Sequence, residues 1–276
     1  MKAGFIGAGK VGFSLGKYLK EGGVTVTGYF SRSRESAMEA AGFTDTGYYD
    51  NLADIAKDSD TLFITVPDGT IGSVWENLRN LPIKDKNICH CSGSVPSTAF
   101  FDAEKKGAFR FSIHPLYAVS SRYTSYQELG KACFTIEGTR ERLPEMKSFF
   151  ETMGNRVVVI SPESKTLYHA AAVMVSNQLA ALVDMGADLL RACGFPEQDA
   201  TRALSPLIEG NALAVAVSGP VKALTGPCER GDVQTVAGHL AALQKLAEKE
   251  TSAKDIESAY RILSRRLVSL AERKNP

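Results

Sequence analysis

The feature that most constrains this chain lies in its first sixteen residues. A short apolar run, Ala3 to Ile6, enters a glycine loop (Gly7, Ala8, Gly9, Lys10, Val11, Gly12), and a helical pattern with Leu15, Tyr18 and Leu19 follows at once. Strand, glycine loop and helix in that order make the βα turn of a dinucleotide-binding unit. Gly7 permits the tight turn, Gly9 lets a pyrophosphate approach the backbone, and Gly12 lets helix pack close on strand. The helix starting near Lys10 would aim its free N–H groups and positive dipole end at the phosphates.

The end of the second strand reads the ribose. Val24 to Phe30 is β-branched and aromatic, and an NAD site normally carries Asp or Glu about twenty residues past the glycines. This chain has Ser31-Arg32-Ser33-Arg34 instead. Hydroxyls and permanently charged, forked guanidinium donors suit a dianionic 2′-phosphate, so the expected cofactor is NADP(H). Ser31 or Ser33 could equally cap the next helix, whose first turn holds Glu35.

At 276 residues the chain has length for one large or two modest domains, and its apolar and charged fractions, 44% and 23%, are ordinary for a globular protein. A net charge of +1 gives no electrostatic case for nucleic acid or an anionic membrane. Five cysteines, at 89, 91, 133, 193 and 228, form no disulfide framework and point to a reducing, cytoplasmic setting. In a strand His90 points away from Cys89 and Cys91, and no second Cys/His cluster is near in sequence, so no metal is expected. Met1-Lys2 runs straight into the first strand without a leader pattern. Ala170 to Leu190 is apolar but holds Ser176, Asn177, Gln178, Asp184 and Asp188, which reads as a buried helix and no membrane span.

Short strands and helices alternate through Ile160, the doubly wound α/β pattern with a parallel sheet. From Ser161 the chain reads as helices only: Lys165 to Cys193, Pro196 to Ser218, Asp232 to Glu250 and Lys254 to Arg273. Two Gly-Pro breaks, at Gly219-Pro220 and Gly226-Pro227, separate them. The expected organisation is a Rossmann domain over 1–161 and an all-helical domain over 162–276, with substrate in the cleft between them.

Five segments occur together in order: the opening loop, Ile64-Thr65-Val66-Pro67-Asp68, Cys91-Ser92-Gly93-Ser94, Ile113-His114-Pro115-Leu116, and Thr225-Gly226-Pro227-Cys228-Glu229-Arg230-Gly231-Asp232. With them the chain resembles bacterial Rossmann-like proteins with a helical C-terminal domain of unknown function. That group is called NADP-dependent oxidoreductases and is similar to prephenate dehydrogenase, pyrroline-5-carboxylate reductase and the 6-phosphogluconate dehydrogenase-like enzymes. The resemblance implies that Val66, Pro67 and Asp68 lie beside the cofactor's ribose and nicotinamide, that Ser92 and Ser94 face substrate, and that the helical domain forms a homodimer. It supplies no substrate.

His114, after a strand and before Pro115, is a candidate to exchange a proton with substrate, or else shapes the turn. On the helix from Lys165, His169, Val173, Ser176, Asn177 and Ala180 share one side. Hydroxyacid dehydrogenases place a Lys and an Asn four residues apart there; Asn177 matches the Asn, but Val173 stands where the lysine should be. Catalytic work then falls to His114, His169, Asn177 or Ser92, with Lys165 a weak substitute for the lysine. Arg230 could hold a substrate carboxylate, and Asp232 should cap the next helix. Tyr117, Arg122, Tyr123 and Tyr126 could cover the cleft. The expected function is NADP(H)-dependent hydride transfer to or from a small anionic substrate. Its rivals are an NAD-linked prephenate- or arogenate-type dehydrogenase, an imine reductase, and a non-catalytic NADPH-binding regulator.

Overall fold

The computed structural model describes residues 1–275. Its contacts divide the chain into two compact units, parting between Ser176 and Asn177.

The first unit is built on one eight-stranded sheet in the order β3-β2-β1-β4-β5-β6-β7-β8. The strands are β1 (Lys2–Ile6), β2 (Thr25–Phe30), β3 (Gly47–Tyr48), β4 (Thr61–Ile64), β5 (Asn87–His90), β6 (Phe109–Leu116), β7 (Cys133–Gly138) and β8 (Arg156–Val159). Between them run α1 (Lys10–Glu21), α2 (Arg34–Thr44), α3 (Leu52–Asp58), α4 (Asp68–Leu78) and α5 (Leu143–Thr152), and α6 (Lys165–Val175) follows β8. Strands β1 to β6 are parallel, β7 runs antiparallel to β6, and β8 is parallel to β7. The doubly wound α/β expectation holds, with the last two strands reversed. The order turns back between β1 and β4, the switch point where such sheets open a crevice outside their carboxyl ends.

Alternation along the central strands fills both faces. Phe5 and Phe63 join a core with Phe13, Tyr29, Phe111 and Phe134, while Ile6, Leu62 and Ile64 join another with Trp75, Ile88 and Phe100. Strands buried on both sides read as apolar runs for this reason.

The second unit holds α7 (Asn177–Ala192), α8 (Glu197–Ala223), α9 (Val233–Ala247) and α10 (Ala253–Lys274). Gly219, at φ 78° and ψ 160°, breaks α8 at the Gly-Pro step. Asp232 caps α9, accepting from Thr235 N at 3.0 Å and from Thr235 Oγ1 at 2.7 Å.

Three expectations change here. The compact units divide at 176/177, not at Ser161-Pro162, because α6 is sewn to the sheet by the buried Lys165. The apolar stretch from Lys165 is two helices, broken at Ser176 (φ −119°, ψ −80°). It is also not buried in the chain: of the two helices only Lys165 and Ala187 are buried, and Leu167 and Val175 are each 77% exposed. By length and composition Pro162–Ala192 is apolar enough to cross a membrane, with mean hydropathy 1.3. The break leaves pieces of 11 and 16 residues. At 1.5 Å per residue even the longer reaches about 24 Å, short of a ~30 Å hydrocarbon core.

Candidate functional site

The predicted residues of the first unit lie past the carboxyl ends of β1, β2, β4 and β5, within β6 and on α6. At the end of β1, Gly7 sits at φ +113°, and a Cβ there would lie 2.7 Å from Thr65 O. A Cβ on Gly12 would meet Gly7 O at 2.4 Å, so the first turn of α1 presses directly on the loop. Thr65 Oγ1 donates to Gly7 O at 2.8 Å, tying the loop to the end of β4, and Val66 lies against Gly7. Gly9 differs: its Cβ would meet nothing nearer than Thr65 O at 3.9 Å, so the space over its backbone is open. Gly9 is the N-cap of α1 and supplies no side-chain cap, and the first turn holds no acidic residue. The N–H groups there have no side-chain acceptor, which fits a pyrophosphate. Lys10 is exposed and Val11 half-buried beside it.

Past β2, Ser33 caps α2. Its Oγ accepts from Ser36 N at 3.1 Å and donates to Glu35 Oε2 at 2.8 Å. Arg34 reaches Tyr48 Oη at 2.9 Å and Asp50 Oδ1 at 3.3 Å. Arg32 is exposed and makes no ion pair or side-chain hydrogen bond among the described residues. Of the two guanidiniums read from the sequence, Arg34 is committed within the fold and Arg32 is available.

The ends of β4, β5 and β6 converge on a polar cluster. Asp68, the first residue of α4 after the N-cap Pro67, accepts from Ser92 Oγ and from Ser94 Oγ through the same Oδ2, each at 2.8 Å. Ser92 Oγ accepts in turn from Ser94 N at 3.1 Å and Val95 N at 2.9 Å. Asp68 thus belongs with the serines as much as with the glycine loop. His114 lies within β6, not after it, opposite Thr135 of β7. A Cβ on Gly93 would fall 2.7 Å from His169 Cδ2 and 3.0 Å from His114 Nε2, so the absence of a side chain there lets both rings close on the backbone. Ser92, Ser94, Asp68, His114 and His169 are brought together.

Lys165 holds this arrangement from beneath. It is 1% exposed, and its Nζ donates to Ser92 O at 2.7 Å and Ser112 Oγ at 2.8 Å. Burial pulls its ammonium down to about 8. Burial first, then the Lys165 charge, then His169, lower His114 to about 4, outweighing the pull of Asp68. His114 is therefore neutral at physiological pH. His90, buried behind it, is lowered to about 4, mainly by burial. Its Nδ1 accepts from Ser92 N at 3.3 Å, and its Nε2 has no partner.

Sequence reasoning undervalued Lys165 and missed Tyr168, whose hydroxyl lies 2.7 Å from His114 Nδ1. The helical period offered a signal for the first, since Lys165 precedes His169 by four residues and shares its face. Asn177 is exposed, not buried, and belongs with Arg230 to the second unit. The loop expected to cover a cleft instead packs on α1 and α2: Arg122 pairs with Glu39 at 3.1 Å, Tyr123 Oη also bonds Glu39, and Tyr123 and Tyr126 stack edgewise on Phe43. Among the described residues no group of His, Cys, Asp and Glu is arranged to hold a metal ion.

A model of the Rossmann-like domain matches residues 1–115, and a model of a domain of unknown function (DUF2520) matches residues 132–267. The chain thus carries a Rossmann-like domain followed by a domain of this second family. Comparison with curated proteins gave no match. Among solved structures it is similar to protein TM1727 from Thermotoga maritima, at 26% identity over 99% of this chain and 100% of that one, with a TM-score of 0.76. It also shares its fold with the reductive aminase from Aspergillus terreus in complex with NADPH and ethyl-5-oxohexanoate, at 17% identity over 99% of this chain and 92% of that one, with a TM-score of 0.64. The fold recurs in Plasmodium falciparum pyrroline carboxylate reductase with NADP bound, at 15% identity, 98% of each chain and a TM-score of 0.61.

Proposed function

We propose that this protein is an NADP(H)-dependent oxidoreductase that moves hydride to or from a small anionic substrate at the polar cluster of Ser92, Ser94, Asp68, His114 and His169. The observation that carries the reading is the pairing of an uncapped α1 N-terminus at an open Gly9 with an unpaired Arg32 past β2. The backbone of residues 7–12 would hold the pyrophosphate; Arg32, Ser31 and Ser33 would hold the 2′-phosphate; Val66, Pro67 and Asp68 would flank the ribose and nicotinamide. Bound there, the dinucleotide supplies or accepts the hydride. Neighbours of the same fold crystallised with NADP or NADPH support the cofactor.

The chain's own residues orient and protonate. Lys165 fixes the Ser92 carbonyl and the loop after β5, and Asp68 fixes both serine hydroxyls. His114 and His169 are the acid–base candidates, and Asn177 and Arg230 of the second unit are proposed substrate contacts. The apolar side chains exposed on α7 to α10, among them Leu182, Leu207, Leu213, Val217 and Ile262, support a homodimer formed through the helical unit. Five free cysteines support a cytoplasmic location.

The test is a thermal-shift titration of the protein and of Arg32→Gln with NADPH and NADH. NADPH at about one hundred times its dissociation constant should add roughly 2.7 kcal/mol of apparent stability. Loss of one charge-assisted phosphate contact, about 1.5–3 kcal/mol, should weaken NADPH roughly ten- to a hundred-fold and leave NADH unchanged. Equal losses for both, or no shift with either, would refute the reading.

A further inference from the structure

His114 and Tyr168 form a pair with a defined direction. The rings meet edge to face, with centroids 5.6 Å apart and planes at 82°, and the phenol oxygen lies 2.7 Å from Nδ1. Lys165 Nζ stands 5.7 Å over the Tyr168 ring. The other ring nitrogen of His114, Nε2, is the ring atom nearest the place a Cβ would take on Gly93, between Ser92 and Ser94 in the chain.

A neutral imidazole has one donor and one acceptor nitrogen, and its neighbours choose which is which. A phenol is a better donor than acceptor, and an unprotonated imidazole nitrogen is the better base of the two. Thr135, opposite His114 in the β6–β7 register, adds a second constraint. Its buried hydroxyl makes no hydrogen bond, and while burial raises the Tyr168 phenol above its ordinary value, Thr135 is the side chain that opposes the rise. If Tyr168 spends its proton on Nδ1, its oxygen is left as the acceptor that Thr135 lacks.

We infer that Tyr168 is a positioning residue: its hydroxyl donates to His114 Nδ1, which places the ring proton on Nε2 and turns His114 into a hydrogen-bond donor toward the Ser92–Ser94 edge. A donor there suits a substrate with an acceptor atom at the reacting carbon, a carbonyl oxygen or an imine nitrogen. The groups facing His114 are Lys165 and His169 from α6, Asp68 from α4 and His90 from β5. Burial, Lys165, His169 and His90 outweigh Asp68 and keep the ring neutral, so its tautomer has meaning at working pH. The assignment deepens the acid–base role proposed above and rests on that reading only for its chemical use.

The test is two-bond ¹H–¹⁵N correlation spectroscopy of ¹⁵N-histidine-labelled protein near neutral pH. The four histidines are resolved by the signal that His114→Gln removes. In the wild type, His114 should show an unprotonated Nδ1 and a protonated Nε2. In Tyr168→Phe, which keeps the ring and its packing, the two nitrogen shifts should move toward each other as the second tautomer is populated. A protonated Nδ1 in the wild type, or unchanged shifts in Tyr168→Phe, overturns the inference. The wild-type spectrum decides the direction of the bond by itself if the Phe variant does not fold. Neither spectrum needs cofactor or substrate, so this result and NADPH binding fail independently.

Discussion

Lys165→Met separates the electrostatic cost of the buried lysine from the bonds it makes. The side chain is 1% exposed and donates to Ser92 O and Ser112 Oγ. Its pKa falls from 10.5 to about 8 on folding, chiefly by burial. The folded state therefore binds fewer protons than the unfolded chain between those values, and stability rises with pH across that window. The contribution is full above 10.5 and is lost as pH falls through about 8. For a shift of this size the linkage gives about 2 kcal/mol between about pH 7 and pH 9.5, of roughly 3.4 kcal/mol in all. Methionine keeps most of the length and has no proton to exchange, so the wild type should gain about 2 kcal/mol over the variant across that range. Near pH 7 the two effects oppose: the lost charge-assisted bonds, about 1.5–3 kcal/mol each, against relief from burying a charge. Urea unfolding followed by the fluorescence of Trp75 reads this directly, because the only tryptophan is buried in the first unit. Parallel stability curves for the two proteins from neutral to alkaline pH would refute the argument, because they would mean that Lys165 titrates alike folded and unfolded.

Two further outcomes follow from the same site. His90 and His114 both titrate at about 4 in the fold against 6.5 outside it, so stability present above 6.5 should be lost as pH falls toward 4. Each should cost about 2 kcal/mol by about pH 5, and His114→Gln should remove its share of that acid sensitivity in the Trp75 melts. Gly12→Ala would put a Cβ 2.4 Å from Gly7 O, a backbone atom that cannot swing away. It should lower stability by about 1–3 kcal/mol and abolish the NADPH thermal shift; a variant as stable as the wild type that still binds NADPH would contradict the loop geometry.

Much of the first unit was legible because its signals are local. A short apolar run covered on both faces reads as a parallel strand, so β1, β4 and β5 could be located from their runs, to within a few residues at their ends. Gly12 is fixed by steric contact with Gly7 within one βα turn, and Ser33 caps α2 through the N–H of Ser36, three residues on. The reversal at β7 left no such trace, since direction in a sheet depends on where the intervening chain goes. The apolar stretch after Lys165 misled for a related reason. Composition showed that it must be covered, and burial was assumed to come from the same chain; in the structure Leu167, Met174 and Val175 are exposed. Asn177, within that stretch, is exposed as well.

The sequence by itself determined the α/β order, the glycine loop, the hydroxyls and guanidiniums of Ser31-Arg32-Ser33-Arg34 past β2, and the residue types available at the strand ends; that Ser33 caps α2 and that Arg34, not Arg32, is committed within the fold was decided by the structure. Tertiary structure decided how those residues act. Lys165 finds Ser92 across 73 positions, and Tyr168 finds His114 across 54. A hydrogen bond's partner is chosen by distance in space, and a sheet that brings six strand ends to one edge makes distant residues neighbours. Burial at that edge then sets the charges: it keeps His114 neutral and pulls Lys165 down to about 8, shifts that no spacing in the sequence encodes.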